Sequence, residues 1–399
     1  MDQLPKSELA GRLSKLQLWM QGAAVDAVFV FQNVDTFYFT GTAQSGLLCL
    51  PATGEPLFLV QKSLSRARIE SAWDRLLPFP GFKKLPEWLA GEGIGALRRV
   101  GIETDVLPTS YFLKLQELFP GVQFIDASDA IRRIRMIKSS HEAAQVRCAA
   151  EMLRAAFDRL PEWIRPGTTE LEVMARLEGF LRSQGHPGIV RTRGFGNEIG
   201  YGTFSSGMSA TYPTSFPGPV GTPGLYPAVP TGGSRRRLTP GDSMVADIVG
   251  GYGGYYVDKT RVYVIGELAD DMVKAHHFML DLIREIETML RPGILCSAIY
   301  QHALQRVKDG PYASGFMGAA DNQVRFVGHG VGLELDELPV LTGGFDIPLE
   351  PGMVIAIEPK AFFPDRGGVG IENTYLLTES GYENLTPYPE EIISIVIPI

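Results

Sequence analysis

The chain has 399 residues, of which 45% are hydrophobic and 21% are charged, and its formal net charge is -8 at pH 7. This length exceeds the size at which a single hydrophobic core keeps growing, so we expect two domains. The acidic balance argues against a nucleic-acid-binding protein, and no apolar run reaches the roughly 18 residues that a membrane helix needs.

The N-terminus and the cysteines indicate a cytoplasmic protein. The first residues, MDQLPKSELAGRL, lack the apolar core of a signal peptide. Cys49, Cys148 and Cys296 are far apart and follow no metal-binding spacing. Their odd number and wide spacing predict reduced, buried thiols rather than disulfides.

The first third of the chain alternates short predicted helices and strands. RLSKLQLWMQ has helical spacing, VDAVFVF is typical of a buried strand, and GLLCLPATGEPLFLV predicts two strands around a Pro/Gly turn. A basic segment containing a helix start, KSSHEAAQ, follows. We therefore predict an α/β domain over residues 1–136 and a second domain over residues 137–399.

The second domain begins with two long predicted helices that end near Gly185. A Gly/Pro/Ser/Thr-rich stretch over residues 194–241 follows, and it is too long for a simple connection. Because Tyr212, Phe216 and Tyr226 give this stretch something to pack, we expect an ordered lid. Helical spacing resumes at ELADDMVKAHHFMLDLIREIETML, and the C-terminal part is rich in predicted strands.

Two strand-rich segments of this domain each contain a pair of carboxylates around a turn. Asp247 and Asp258 are equally distant from the centre of GYGG in SMVADIVGGYGGYYVDKTRVYVIG. Glu358 and Glu372 are equally distant from Asp365 in MVIAIEPKAFFPDRGGVGIENTYLLT. If these are hairpins, the members of each pair face each other on one side of the sheet.

The apolar surroundings of these carboxylates predict burial, which requires a counter-charge because an unpaired buried ion costs several kcal/mol. By strand alternation, Lys259 and Arg261 point to the opposite face from Asp258. Two divalent cations would neutralise the four carboxylates, and His329, between two glycines in VGHGVGLELDELP, would add a nitrogen ligand. The alternative is four unrelated carboxylates on a solvated face.

Together these motifs, D-(x)10-D, GHG, EP and IEN, resemble those of the pita-bread metallopeptidases, which include Xaa-Pro dipeptidase, aminopeptidase P, methionine aminopeptidase and the metal-free creatinase. The early YFTGT is similar to the creatinase-type N-terminal domain, and VDKTRVYVIG and PGMVIAIEP are similar to two catalytic-domain strands. The resemblance implies an α/β (α+β) protein in which a creatinase-like domain precedes a pita-bread catalytic domain.

The resemblance also implies a ligand set for two divalent ions: Asp247, Asp258, His329, Glu358 and Glu372. Asp258 and Glu372 would bridge the two ions, and Glu358 would also act as the general base. Oxygen ligands with one nitrogen suit Mn²⁺, and Co²⁺, Fe²⁺ or Zn²⁺ are also compatible. A homodimer is implied as well.

Several positions depart from the family pattern. Asp336 stands where the family has a second histidine, seven residues after the ligand histidine, and Thr214 stands where it has an upstream histidine. Gly370 replaces an arginine, for which Arg366 is a candidate substitute, and Lys360 replaces the glycine of EPG. Asp336 and Thr214 are thus candidate substrate-contacting residues, and we expect an ionised Asp336 that accepts hydrogen bonds.

These features predict a prolidase- or aminopeptidase P-like enzyme that cleaves short Xaa-Pro peptides. Two alternatives are a hydrolase or lyase of a small non-peptide molecule at the same site, and a pita-bread binding protein without catalysis. The histidines outside the motifs are predicted to lie on the surface or in a loop: His141, His186, His276, His277 and His302.

Overall fold

The computed structural model describes residues 3–308, 310–319 and 322–396. The chain divides into two compact units, Met1–Arg135 and Met136–Ile399. Among the described residues, no helix is both long and apolar enough to cross a bilayer. Cys49 and Cys296 are buried, but Cys148 is exposed, so the prediction of three buried thiols is wrong for Cys148.

The first unit is an α/β domain built on one six-stranded sheet with the order β4-β3-β2-β1-β5-β6. Its strands are β1 (Ala27–Val30), β2 (Gly46–Pro51), β3 (Leu57–Val60), β4 (Leu76–Pro78), β5 (Arg99–Ile102) and β6 (Gln123–Asp126). Its helices are α1 (Lys6–Ala23), α2 (Asn33–Thr40), α3 (Leu64–Glu70), α4 (Leu85–Gly91), α5 (Thr109–Leu118) and α6 (Ser128–Met136).

The apolar runs of the first unit form the centre of this sheet, as predicted. All four residues of β1 are buried, and β1 pairs antiparallel with β2 and parallel with β5. A strand buried on both faces is expected to be continuously apolar rather than alternating, which is the pattern of VDAVFVF.

The second unit combines four α-helices and eleven strands within the described ranges. The helices are α7 (Ser140–Trp163), α8 (Glu170–Ser183), α9 (Asp270–Glu287) and α10 (Cys296–Lys308). Capping boxes at Ser139 and Thr169 begin α7 and α8. Each cap side chain accepts a hydrogen bond from the backbone N–H of the glutamate three residues later, and the carboxylate of that glutamate accepts one from the backbone N–H of the cap. An apolar core of α9 and α10 packs against the strands.

The strands of the second unit form three sheets. One has the order β17-β9-β8-β7, one has the order β11-β10-β12-β15-β16, and β13 pairs with β14. The strands are β7 (Gly202–Ser206), β8 (Ser243–Tyr252), β9 (Tyr255–Ile265), β10 (Phe326–Gly330), β11 (Glu337–Thr342), β12 (Val354–Ile357), β13 (Lys360–Phe363), β14 (Gly367–Gly370), β15 (Asn373–Leu377), β16 (Tyr382–Asn384) and β17 (Ile393–Ile395).

The β8–β9 hairpin turns at Gly253 and Gly254, which both have positive φ as a two-residue hairpin turn requires. Asp247 therefore pairs with Thr260, and the prediction that it lies directly opposite Asp258 is wrong by two residues. Because side chains alternate with a period of two, this shift leaves both aspartates on the same face of the hairpin.

Candidate metal centre

Five elements of the second unit bring the predicted ligands together. Asp247 lies in β8, Asp258 in β9 and His329 in β10, while Glu358 follows β12 and Glu372 precedes β15. Their ligand atoms form two groups, Asp258–His329–Glu372 and Asp247–Glu358–Glu372, and within each group the atoms lie within 4.8 Å of one another. Glu372 belongs to both groups, so the two positions are adjacent.

The second predicted hairpin has the register that the spacing indicates. Lys360 of β13 pairs with Gly370 of β14 around the turn that contains Asp365. Glu358 and Glu372 each lie two residues beyond that pair, so they face each other across the hairpin. A bridge between Thr260 and Glu372 joins this hairpin to β9.

Lys360 is a buried cation between the carboxylates, and the sequence interpretation overlooked it as a counter-charge. Its Nζ lies 2.5 Å from Glu358 Oε2, 3.0 Å from Glu372 Oε2 and 3.4 Å from Asp247 Oδ2. Its side chain is 1% exposed. The sequence spacing does indicate a contact with Glu358, because residues two positions apart lie on the same side of an extended segment.

The His329 ring is oriented for a ligand at Nε2. Its Nδ1 lies 3.2 Å from the backbone oxygens of Gly330 and Leu335, so a proton on Nδ1 has two acceptors. Nε2 faces the carboxylates, 3.7 Å from Glu358 Oε1 and 3.8 Å from Glu372 Oε1. Metal-binding histidines are commonly held in this way, with one nitrogen fixed by a carbonyl and the other free to coordinate.

Glu372 supplies the observation that tests whether a cation fits. Its Oε2 accepts hydrogen bonds from Thr260 Oγ1 at 2.7 Å and from Lys360. Its Oε1 is buried and has no hydrogen-bond partner within the described part of the chain. A buried carboxylate oxygen without a donor is costly, and a cation between Asp258, His329 and Glu372 would satisfy it.

Without a cation, the pKa values of this cluster reflect burial and crowding. Burial raises the pKa of Asp258 well above its ordinary value, and the Glu372 and Asp247 charges add to this effect. Burial also raises the pKa of Asp247 to about 6, against the opposing attraction of Lys360. Burial acts to lower the pKa of His329, but Asp336, Glu358 and Glu372 outweigh it, and that pKa is raised. A divalent cation would oppose all three upward shifts.

A small cavity of about 40 Å³ opens onto this cluster. Asp247, Asp258, His329 and Glu358 line it together with the segment from Phe216 to Val220. The long Gly/Pro-rich stretch therefore contributes a wall over the site, as the predicted lid requires. Thr214 is not part of the lining, and its hydroxyl donates to the backbone oxygen of Phe216.

Asp336 lines the same cavity, unlike the two acidic neighbours in its motif. Glu337 accepts from Lys138 at 3.2 Å, and Glu334 lies 3.8 Å from Arg193. The Asp336 side chain is 31% exposed, and its Oδ1 lies 3.5 Å from His329 Nδ1. Burial raises the pKa of Asp336, partly offset by His329.

Other residues singled out in the sequence lie away from the cluster. Lys259 and Arg261 are buried on the opposite face of β9, as alternation predicts. Arg366 forms an exposed ion pair with Asp271, so the prediction that it substitutes for the family arginine is wrong. His276 is fully buried, so the surface prediction is wrong for it.

The geometry agrees with comparisons to known families. The model of metallopeptidase family M24 matches residues 144–379, and the model of the creatinase/prolidase N-terminal domain matches residues 12–137. The chain belongs to metallopeptidase family M24, and this membership implies divalent metal ions.

Similar proteins cover nearly the whole chain. A probable dipeptidase PepE of Mycobacterium tuberculosis is 29% identical over 88% of this chain and 85% of its own length. An Xaa-Pro dipeptidase of Pyrococcus furiosus is 28% identical over 96% of this chain and 99% of its own length. The crystal structure of dipeptidase PepE from Mycobacterium ulcerans has a TM-score of 0.81 at 26% identity and covers 99% of this chain and all of that one.

Proposed function

We propose that this chain is a metal-dependent peptidase that hydrolyses short peptides of the Xaa-Pro type. The main support is the buried Asp258–His329–Glu372 group, in which a cation would satisfy the Glu372 oxygen that has no hydrogen-bond partner among the described residues. Family membership and the dipeptidase names of the relatives support the peptide substrate. Cytoplasmic location and a homodimer stay predictions from the sequence.

A bound divalent ion would supply Lewis acidity and lower the pKa of a water molecule. Asp258, His329 and Glu372 would hold the ion, and Nδ1 of His329 would stay protonated against the carbonyls of Gly330 and Leu335. Glu358 would accept the proton of the attacking water, since it lines the cavity and Lys360 stabilises its ionised form. The sequence predicts two ions and favours Mn²⁺.

Asp336 is proposed to bind the free amine of the substrate. It is the one acidic side chain of its motif that lines the cavity, and a carboxylate there accepts hydrogen bonds from an ammonium group. Thr214 is a weaker candidate, because its hydroxyl is already used locally.

The substrate proposal is tested with Xaa-Pro dipeptides, the same peptides with a blocked amine, and longer peptides. We expect cleavage of the free dipeptides, abolished by chelation and restored by Mn²⁺. Asp336→Asn should raise KM for free peptides about tenfold, the cost of one charge-assisted hydrogen bond. The matched control is Asp271→Asn at the exposed Arg366 pair, which should change nothing. Equal KM values for Asp336→Asn and the wild type would exclude the amine contact.

A hydrolase or lyase of a small non-peptide molecule is the second candidate. It is supported by Asp336 and Thr214, which stand where the family pattern has two histidines. Cleavage of a non-peptide amide, with no turnover of any dipeptide, would favour it. The third alternative, binding without catalysis, predicts ligand binding and no turnover of either class.

A further inference from the structure

The carboxylates of the candidate metal centre are not all available to metal ions. Lys360 Nζ contacts Asp247, Glu358 and Glu372, which are the members of one of the two ligand groups. An ammonium group has three protons, and these three oxygens can accept all of them. This group is therefore already neutralised in part by a side chain of the protein.

The position of Lys360 is set by the surrounding backbone. It begins β13 and pairs with Gly370, whose missing side chain makes room for the lysine. A Cβ atom at Gly370 would lie 2.9 Å from Lys360 Cγ and 2.6 Å from its Cα. The buried lysine thus depends on a glycine opposite it, and it has little space to swing away.

A divalent ion and the lysine would compete for the same oxygen atoms. Protein carboxylates bind such ions at about 2.0–2.2 Å. An ion bound to Glu358 Oε2 and Glu372 Oε2 would lie within a few ångströms of Nζ and would share its acceptors. Two positive charges at that distance repel each other in a buried site.

In the other ligand group, Glu372 shares Oε2 with Lys360, and its second carboxylate oxygen, Oε1, is not paired with the lysine within the described ranges. Among the described residues, neither Asp258 nor His329 forms an ion pair with Lys360 Nζ, whose partners are Asp247, Glu358 and Glu372 Oε2. We propose that the chain binds one divalent ion, at Asp258, His329 and Glu372, and that Lys360 takes the place of the second ion. Asp247 then serves as an acceptor for Lys360 rather than as a metal ligand.

This inference rests on the metal centre of the proposed function and not on its substrate. The test is the number of ions that metal-free protein takes up from Mn²⁺ alone, counted by elemental analysis and calorimetric titration. The wild type should bind one ion per chain. Lys360→Gly removes the lysine side chain and places a glycine where the family pattern has one. This variant should bind two ions per chain.

Two matched variants sharpen the count. Lys259→Met removes a buried lysine that contacts none of the ligand oxygens in the described residues, and it should still bind one ion. Asp247→Asn should also bind one ion with an affinity within about threefold of the wild type, whereas Asp258→Asn should lose the ion.

Electron paramagnetic resonance of bound Mn²⁺ distinguishes one ion from two in the wild type, so this measurement does not depend on whether Lys360→Gly folds. A single Mn²⁺ gives an isolated six-line spectrum, and two ions about 3.5–4 Å apart are magnetically coupled. One isolated ion in the wild type and in Asp247→Asn supports the proposal. A coupled pair in the wild type, or loss of an ion in Asp247→Asn, overturns it and leaves the proposed hydrolysis standing. No bound ion at all overturns both.

Discussion

Among the described residues of the second unit, three lysines are buried, Lys138, Lys259 and Lys360, and the last two lie in contrasting surroundings. Lys259 in β9 is fully buried, and its Nζ lies 5.1 Å and 4.7 Å from the ring centres of Phe157 and Tyr388. Its Nζ has no hydrogen-bond partner among the residues that the structure describes. Lys360 in β13 is equally inaccessible but contacts three carboxylates.

This difference decides the charge of each side chain. Burial lowers the pKa of Lys259 to about 6, so the amine is mainly neutral at pH 7. Burial acts on Lys360 in the same direction, but Asp247, Glu358 and Glu372 outweigh it and raise its pKa well above the ordinary value. Burial alone therefore does not identify a buried lysine as a cation, and the partners must be considered.

The largest expected effect is the loss of the paired lysine. Lys360→Met leaves Asp247, Glu358 and Glu372 without their shared counter-charge. Breaking a buried ion pair from one side typically costs about 3–5 kcal/mol, so metal-free Lys360→Met should be destabilised by that amount. Urea unfolding of the metal-free proteins measures it. Equal midpoints for the variant and the wild type would contradict a stabilising role for this contact.

A buried histidine extends the comparison to pH. His276 in α9 donates from Nε2 to the Glu390 backbone, and burial lowers its pKa to about 4 against the smaller opposing effects of that hydrogen bond and of the Glu391 charge. The unfolded chain, with a pKa near 6.5, takes up the proton first as the pH falls. Stability is therefore complete above pH 6.5 and declines toward pH 4.

The expected loss from His276 is on the order of 1 kcal/mol between pH 7 and pH 5.5. Urea unfolding across this range, compared with His276→Gln, measures it. The variant should show a flatter dependence, though His186, whose pKa burial also lowers to about 4, keeps part of the slope. Identical slopes would mean that His276 takes up its proton over the same pH range in the folded and the unfolded protein.

The smallest expected effect is the loss of the unpaired lysine. Lys259→Met replaces a buried amine that lacks a hydrogen-bond partner with an apolar side chain of similar length. The stability of the folded protein at pH 7 should change by less than about 1 kcal/mol. We expect an increase rather than a loss, because the substitution removes a buried polar group. Thermal unfolding beside Lys360→Met gives the comparison directly. A loss as large as that of Lys360→Met would remove the distinction between the two lysines.

Much of this arrangement follows from strand periodicity. Alternation along β9 separates Asp258 from Lys259 and Arg261, and the symmetric spacing around Asp365 gives the facing glutamates. The observed β8–β9 register differs by two residues from the predicted one, because GYGG permits more than one turn centre. The Gly253–Gly254 pair, suited to positive φ at both positions, was the available signal.

Other features depend on contacts that the sequence does not display. The Thr214 hydroxyl donates to the backbone oxygen of Phe216, two residues away. The comparison with the family pattern does not indicate this hydrogen bond. His276 lies on the buried side of α9 with Met272 and Met279, and the helical spacing of those methionines carried that information. The contact of Lys360 with Glu358 is within reach of local spacing, but its contact with Asp247 requires β8 to lie beside this hairpin, a tertiary arrangement beyond local pattern.

Lys360 also differs from a metal ion in that it is covalently attached. A metal ion leaves its site when the free concentration falls below its dissociation constant, but a side chain has no such equilibrium with the solution. One of the positive charges in this cluster is therefore encoded in the polypeptide and is present as soon as the chain folds. Scarcity of metal in the surroundings would deprive the cluster of its catalytic cation while leaving that charge in place.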